Sequence, residues 1–174
     1  STLRKNFPHA RISWLIRPEF APLLENHPHL NDIILFDRRF LAKAWYNPAA
    51  FASLLSLIEK LRRKKFDLVI DLQGLFRSAS LAWLSGCKKR LGMQNSRELA
   101  SLFYTHKITP DNVNIHLVDS CLKVIKAAGA SDIALQFVLP QHSPAADSVR
   151  RLLTAHNINP AKYAVFIIGS AHRD

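Results

Sequence analysis

Along the chain, short apolar runs alternate with longer amphipathic segments, and polar loops separate them. Ile12 to Ile16 has the length and composition of a strand, and Pro18 opens a helical segment, since its fixed φ suits a first turn. Ile33 to Phe36 predicts a second strand. Between Pro48 and Arg63, residues Phe51, Leu54, Leu55, Ile58 and Leu61 recur at the spacing of one helical face. The following cations of KLRRKK complement a helix C-terminus. Phe66 to Ile70 is a third strand, and Leu75 to Leu84 a helix stopped at Gly86. Next come a short strand at Arg90 to Gly92, a short helix at Glu98 to Tyr104 and a helix from His116 to Ala128, ended by Gly129. A strand from Ile133 to Leu139, a helix from Ala145 to His156 and a strand from Tyr163 to Ile168 complete the series, with LPQHSP (139–144) as linker. Strands alternating with helices predict an α/β fold, a mostly parallel sheet with helices on both faces.

Charge sharpens this picture. The 174 residues are 48% hydrophobic, enough for a sizeable core, yet 24 Lys and Arg against 13 Asp and Glu leave a net charge of +11. Such a surface attracts phosphorylated substrates, acidic headgroups or nucleic acid. A basic nucleic-acid-binding module shares these features, but no helix-turn-helix, RRM or KH signature accompanies them, and the charge is dispersed. Cys87 and Cys121 stand far apart without metal-ligand spacing, which fits a reducing compartment. The histidines show no HxxxH or HExxH spacing, which argues against a metal site; no G-x-S-x-G elbow occurs, which removes the serine-hydrolase reading, and there is no Walker A or GxGxxG run. Neither a signal peptide nor an apolar stretch near the ~20 residues of a membrane span is present.

The candidate chemistry lies where strands end. In open α/β sheets, ligands bind outside the carboxyl ends of the strands. Asp71, Gln73 and Gly74 follow the third strand, and the next helix N-terminus offers N–H groups to an anion, with Arg77 in its first turn. Asp71 and Gln73 read equally as simple caps of that helix. After the second strand, DRRFLAKAW sets Arg38, Arg39 and Lys43 among Phe40 and Trp45. This is either a basic binding loop or a solvated charge run.

FDLVIDLQGLFRSASLAWLSGCKKRLGM, SRELASLFY and YAVFIIGSAHRD, in this order, resemble the lipopolysaccharide heptosyltransferases of glycosyltransferase family nine. The likeness extends back through ARISWLIRPEFAPLLENHPHLNDIILFDRRFLAKAW. It implies a GT-B architecture, two Rossmann-like domains around a cleft. It also implies inverting transfer of heptose from ADP-heptose to the Kdo sugar of lipid A, without metal or cofactor. A related member acting on a heptose-bearing acceptor is the alternative. By resemblance, Arg38, Arg39, Lys43, Gln73, Arg77 and Arg97 bind the acceptor, and Gly169 and Ser170 the donor. Arg97 could instead pair with Glu98. Residues 1–142 would form the acceptor domain, 143–160 a connecting helix and linker, and 161–174 the first donor-domain strand. The family's general-base aspartate and its donor-side lysine would lie outside the chain, which alone is expected to be inactive. Without the family's first strand, the sheet would expose unpaired edges. The implied location is cytoplasmic, peripheral on the inner membrane, where RRKK (62–65) and CKKR (87–90) add to a positive surface.

Overall fold

A computed structural model describes residues 2–109, 116–133, 138, 140 and 143–159. The chain divides into two compact units, Ser1–Val138 and Leu139–Asp174.

In the first unit, β1 (Ser13–Ile16) and β2 (Asp32–Leu35) pair in parallel, with Ser13 opposite Asp32 and Ile16 opposite Leu35. A second parallel sheet has the order β3 (Val69–Asp71), β4 (Arg90–Met93) and β5 (His106–Ile108). The described strands thus fall into two sheets, where the sequence pattern predicts one. Parallel partners need crossovers. These are a 3-10 turn at Pro18–Leu23, helix α4 (Phe76–Leu84) and a second 3-10 turn at Ala100–Phe103. The first is a 3-10 turn rather than the expected helix, and Pro22 inside it lacks the N–H that a longer α-helix would need. Helices α1 (Thr2–Asn6), α2 (Arg38–Leu41), α3 (Pro48–Arg63) and α5 (Leu117–Ala127) complete the unit.

The longest of these, α3, is well specified at both ends. The Asn47 side chain accepts the N–H groups of Ala49 and Ala50 at 2.9 and 3.1 Å, Pro48 occupies the first turn, and Lys60, Arg62 and Arg63 occupy the last. Its buried face is Ala50, Leu57 and Leu61, rotated from the face that apolar spacing predicts, and it leaves Phe51 and Leu55 half exposed. Leu57 and Leu61 form one core with Ile34 of β2 and Leu81 of α4. This core holds α3 and α4 against the first sheet. Leu91, Ile108 and Val124 make a second core, over β4 and β5.

In the second unit, α6 (Ser143–Ala155) carries an Arg150–Asp147 ion pair at 3.0 Å on its exposed side. The strand expected at Ile133 to Leu139 lies largely outside the described residues, and the one at Tyr163 to Ile168 wholly so.

At the start of β2, Asp32 meets Arg11 at 2.9 Å and Lys64, just past α3, at 3.2 Å, so one carboxylate pins the helix end to the sheet. The Arg11 hydrogen bond, and then Lys64, hold its pKa at about 2 against burial, below the ordinary 3.8. A carboxylate with a depressed folded-state pKa contributes stability that is full above its unfolded value and is lost as pH falls through the folded one. The urea midpoint of Asp32→Asn should therefore lie below that of the parent at pH 6, and the gap should close as pH falls from 3.8 toward 2. A gap that stays constant over that range would contradict the pairing.

Candidate functional site

β3 ends in Asp71, whose side chain is 6% exposed. Burying a carboxylate is costly unless hydrogen bonds replace its water. Here its Oδ1 accepts the backbone N–H groups of Gln73 and Gly74 at 2.9 and 3.2 Å, closing the turn that leaves the strand. On the other side, Oδ2 accepts the Tyr104 hydroxyl at 2.7 Å and lies 2.8 Å from Ser78 Oγ. Ser78 also accepts the Leu75 N–H at 3.3 Å, reaching back from the third position of α4 as in half of a capping box. Burial, and then the bond to Asp71, push the Tyr104 phenol well above its ordinary pKa, so it remains a donor. The ring crosses β4 at Gly92, where a Cβ would fall 2.3 Å from Tyr104.

Gly74 adopts φ +66°, and a Cβ there would press on Ser96 at 3.2 Å. The loops after β3 and β4 are thereby brought together. Arg97 N–H donates to the Gly74 carbonyl at 3.0 Å, and the Glu98 carboxylate accepts the Phe76 N–H at 3.3 Å. The first N–H of α4, expected to be open to an anionic ligand, thus already holds the protein's own carboxylate. That negative charge also offsets Arg77 in the first turn, where a cation opposes the helix dipole. Glu98 and Leu99 have φ of +54° and +59°, so the expected helix starts only at Ala100, as a 3-10 turn.

The arginines divide sharply. Arg4, Arg11, Arg62, Arg63, Arg90, Arg150 and Arg151 each hydrogen-bond or ion-pair through the guanidinium, and Arg17 pairs with Glu19 while lying over Phe20. Among the described residues, Arg38, Arg39, Arg77 and Arg97 have no such partner. The side chains of Lys43 and Gln73 are likewise unengaged among the described residues. All six follow the carboxyl end of a strand: Arg38, Arg39 and Lys43 after β2, Gln73 and Arg77 after β3, and Arg97 after β4. Asp37 Oδ1 caps the first group by accepting the Phe40 N–H at 3.0 Å, so this basic segment starts as one helical turn rather than a loop. The structure joins Gln73, Gly74 and Arg77 to Arg97 through the contacts above, while Arg38, Arg39 and Lys43 sit on the other sheet. Gly169 and Ser170 lie outside the described residues.

Residues 54–174 match the sequence pattern of Glycosyltransferase family 9 (heptosyltransferase). The chain belongs to this family. It is 28% identical over 170 residues to lipopolysaccharide heptosyltransferase 1 of Escherichia coli K12, covering 96% of this chain and 51% of the relative. Among solved structures, the E. coli heptosyltransferase WaaC with ADP-2-deoxy-2-fluoro heptose superposes with a TM-score of 0.68 at 31% identity, over 78% of this chain and 44% of that one. The family 9 glycosyl transferase of Veillonella parvula DSM 2008 shares the fold at TM-score 0.79 and 23% identity, over 98% of this chain and 48% of its own. The parallel α/β unit is thus the Rossmann-like fold of the GT-B heptosyltransferases. The chain spans about half the length of the relatives it matches.

Sequence reasoning missed Tyr104, Ser78 and Glu98, whose roles come from contacts across 33, 7 and 22 positions. Only Gly92, a small residue in an apolar strand, hints that a ring passes there. Tyr104→Phe removes one donor from the buried Asp71 and should cost about 1–3 kcal/mol. Urea unfolding measures this, and a loss below about 0.5 kcal/mol would mean that the carboxylate does not depend on the phenol.

Proposed function

We propose that this chain forms the acceptor-binding part of a heptosyltransferase that moves heptose from ADP-heptose to the Kdo sugar of the lipopolysaccharide inner core, with inversion and without a metal. The observation that carries this reading is that, among the described residues, the arginines without a side-chain partner follow strand carboxyl ends. An acceptor of this kind bears a sugar carboxylate and lipid A phosphates. Planar guanidinium groups bind both bidentately, and Arg38, Arg39, Arg77 and Arg97 have their donors free for this among the described residues. Family membership supports the same reading, as does the likeness to lipopolysaccharide heptosyltransferase 1.

In this account, the chain's residues position the acceptor rather than perform chemistry. Gln73 and Arg77 stand on a turn fixed by Asp71, and Arg97 stands on the loop bonded to that turn. Holding the acceptor still there converts an encounter into an oriented attack by its hydroxyl on the donor's anomeric carbon, with ADP leaving from the opposite face. The general base and the groups that hold the pyrophosphate are assigned outside this chain, as the family resemblance implies. Gly169 and Ser170 are assigned to the donor's side. The working place is the cytoplasmic face of the inner membrane, where acceptor and basic surface meet.

Arg77→Ala and Arg97→Ala should each weaken binding of a water-soluble Kdo disaccharide carrying a phosphate by about tenfold, the worth of one charge-assisted hydrogen-bond pair. Arg63→Ala and Arg150→Ala, which remove partnered arginines, should leave it within about twofold. Isothermal titration at physiological salt reads the difference. Equal losses for all four variants would make the effect general electrostatics and remove the acceptor assignment.

A further inference from the structure

Helix α3 carries more apolar surface than its core uses. Beside the buried stripe of Ala50, Leu57 and Leu61 runs a second one, Phe51, Leu55 and Ile58, at i, i+4 and i+7. Phe51 and Leu55 are 51% and 50% exposed. The stripe continues beyond the helix start. With Asn47 as cap, Tyr46 and Phe51 hold the two positions that lie on the same side of a helix N-terminus. Tyr46 is nevertheless 57% exposed, and Trp45, whose ring meets it edge-on at 4.7 Å, is 85% exposed.

Cations bracket this strip. Arg38, Arg39 and Lys43 precede Trp45 in the chain, and Arg62, Arg63 and Lys65 follow Ile58 around a shallow groove that Leu55 and Ile58 floor. Glu59, the acid on that groove, is taken up by Arg63 at 2.6 Å. Tryptophan and tyrosine flanked by arginine and lysine suit the boundary between headgroups and acyl chains, where rings embed and cations meet lipid phosphates. A further aromatic group, exposed Phe76 and Trp83 with partly buried Phe103, is less free. Its rings already face one another at 5.4 and 6.1 Å, beside the Arg77 and Arg97 loops.

From this we infer that Trp45, Tyr46, Phe51, Leu55 and Ile58, with their flanking cations, form the surface by which the protein rests on an anionic phospholipid bilayer. The inference builds on the membrane-peripheral reading above and names the contact surface for it. It also gives that reading a geometric sense. Arg38, Arg39 and Lys43 lie directly before the aromatic pair, so an anchored strip holds these acceptor-side cations at headgroup height, where the sugar of a lipid-borne acceptor stands.

The test is co-sedimentation of the chain with vesicles of phosphatidylethanolamine and phosphatidylglycerol, and with phosphatidylcholine vesicles for comparison. The chain should partition onto the anionic vesicles, and the triple variant Trp45→Ala, Tyr46→Ala, Leu55→Ala should do so about tenfold more weakly. Trp83→Ala with Leu102→Ala, the latter an exposed leucine of the Ala100–Phe103 turn, removes comparable apolar surface elsewhere and should stay within about twofold of the parent. Titration of both variants with the soluble Kdo disaccharide should match the parent, which separates this surface from acceptor binding. Loss of vesicle binding only in the Trp83 variant would move the membrane face elsewhere and overturn the inference. So would equal partition onto neutral vesicles, or a parent dimer in sedimentation velocity that the triple variant abolishes while vesicle binding persists.

Discussion

The Asp71 carboxylate sits at the end of β3, out of water, with backbone N–H groups on one oxygen and hydroxyls on the other. The donors come from three separate places: the Gln73–Gly74 turn, the first turn of α4 and, from the opposite edge of the sheet, Tyr104 in the segment leading into β5, whose ring crosses β4 at Gly92. A buried charge cannot exchange these donors for solvent at small cost, so the loops stay where their hydrogen bonds require. Gly74 then carries the constraint across to Arg97, and Glu98 carries it back to the N-terminus of α4. The lip of the candidate site is thus tied down by a buried carboxylate whose hydrogen bonds all come from the protein's own donors.

That arrangement gives meaning to the charge imbalance. With +11 net charge, many cations must lack acidic partners, and where they stand is informative. Arg90 spends its guanidinium on the carbonyls of Phe103 and Cys87, Arg62 on that of Leu84, and Arg4 on those around Pro8 and Ala10, all structural duties. The arginines without partners among the described residues come after β2, β3 and β4. A long side chain held near others of the same charge gains nothing in stability from that position. On the proposed reading, binding of an anionic acceptor supplies the missing partner.

Legibility in the sequence followed the range of the interaction. Helix α3 announces itself through Asn47, Pro48 and the terminal cations, all local signals, and α4 through its apolar run and Gly86. The strand ends that carry the six candidate side chains were equally readable, because an apolar run stopping at a polar residue is local too. Contacts distant in sequence were not. β5 is three residues long, and two of them, His106 and Lys107, are exposed, so nothing in its composition marks a strand. The turn of α3 that faces the core depends on what Ile34 and Leu81 offer it, and the periodicity of its own residues allowed a rotated answer. The double role of Asp71 as strand end and network centre depended on Tyr104, which only the fold brings near.

The most direct measurement is an arginine side-chain NMR spectrum, resolving each guanidinium Nε–Hε, recorded with and without the phosphorylated Kdo disaccharide at physiological salt. The account predicts saturable shifts at Arg77 and Arg97, accompanied by Arg38 and Arg39, with Arg11, Arg62 and Arg90 unmoved. Shifts spread evenly over all arginines, or confined to those already bonded within the protein, would contradict it.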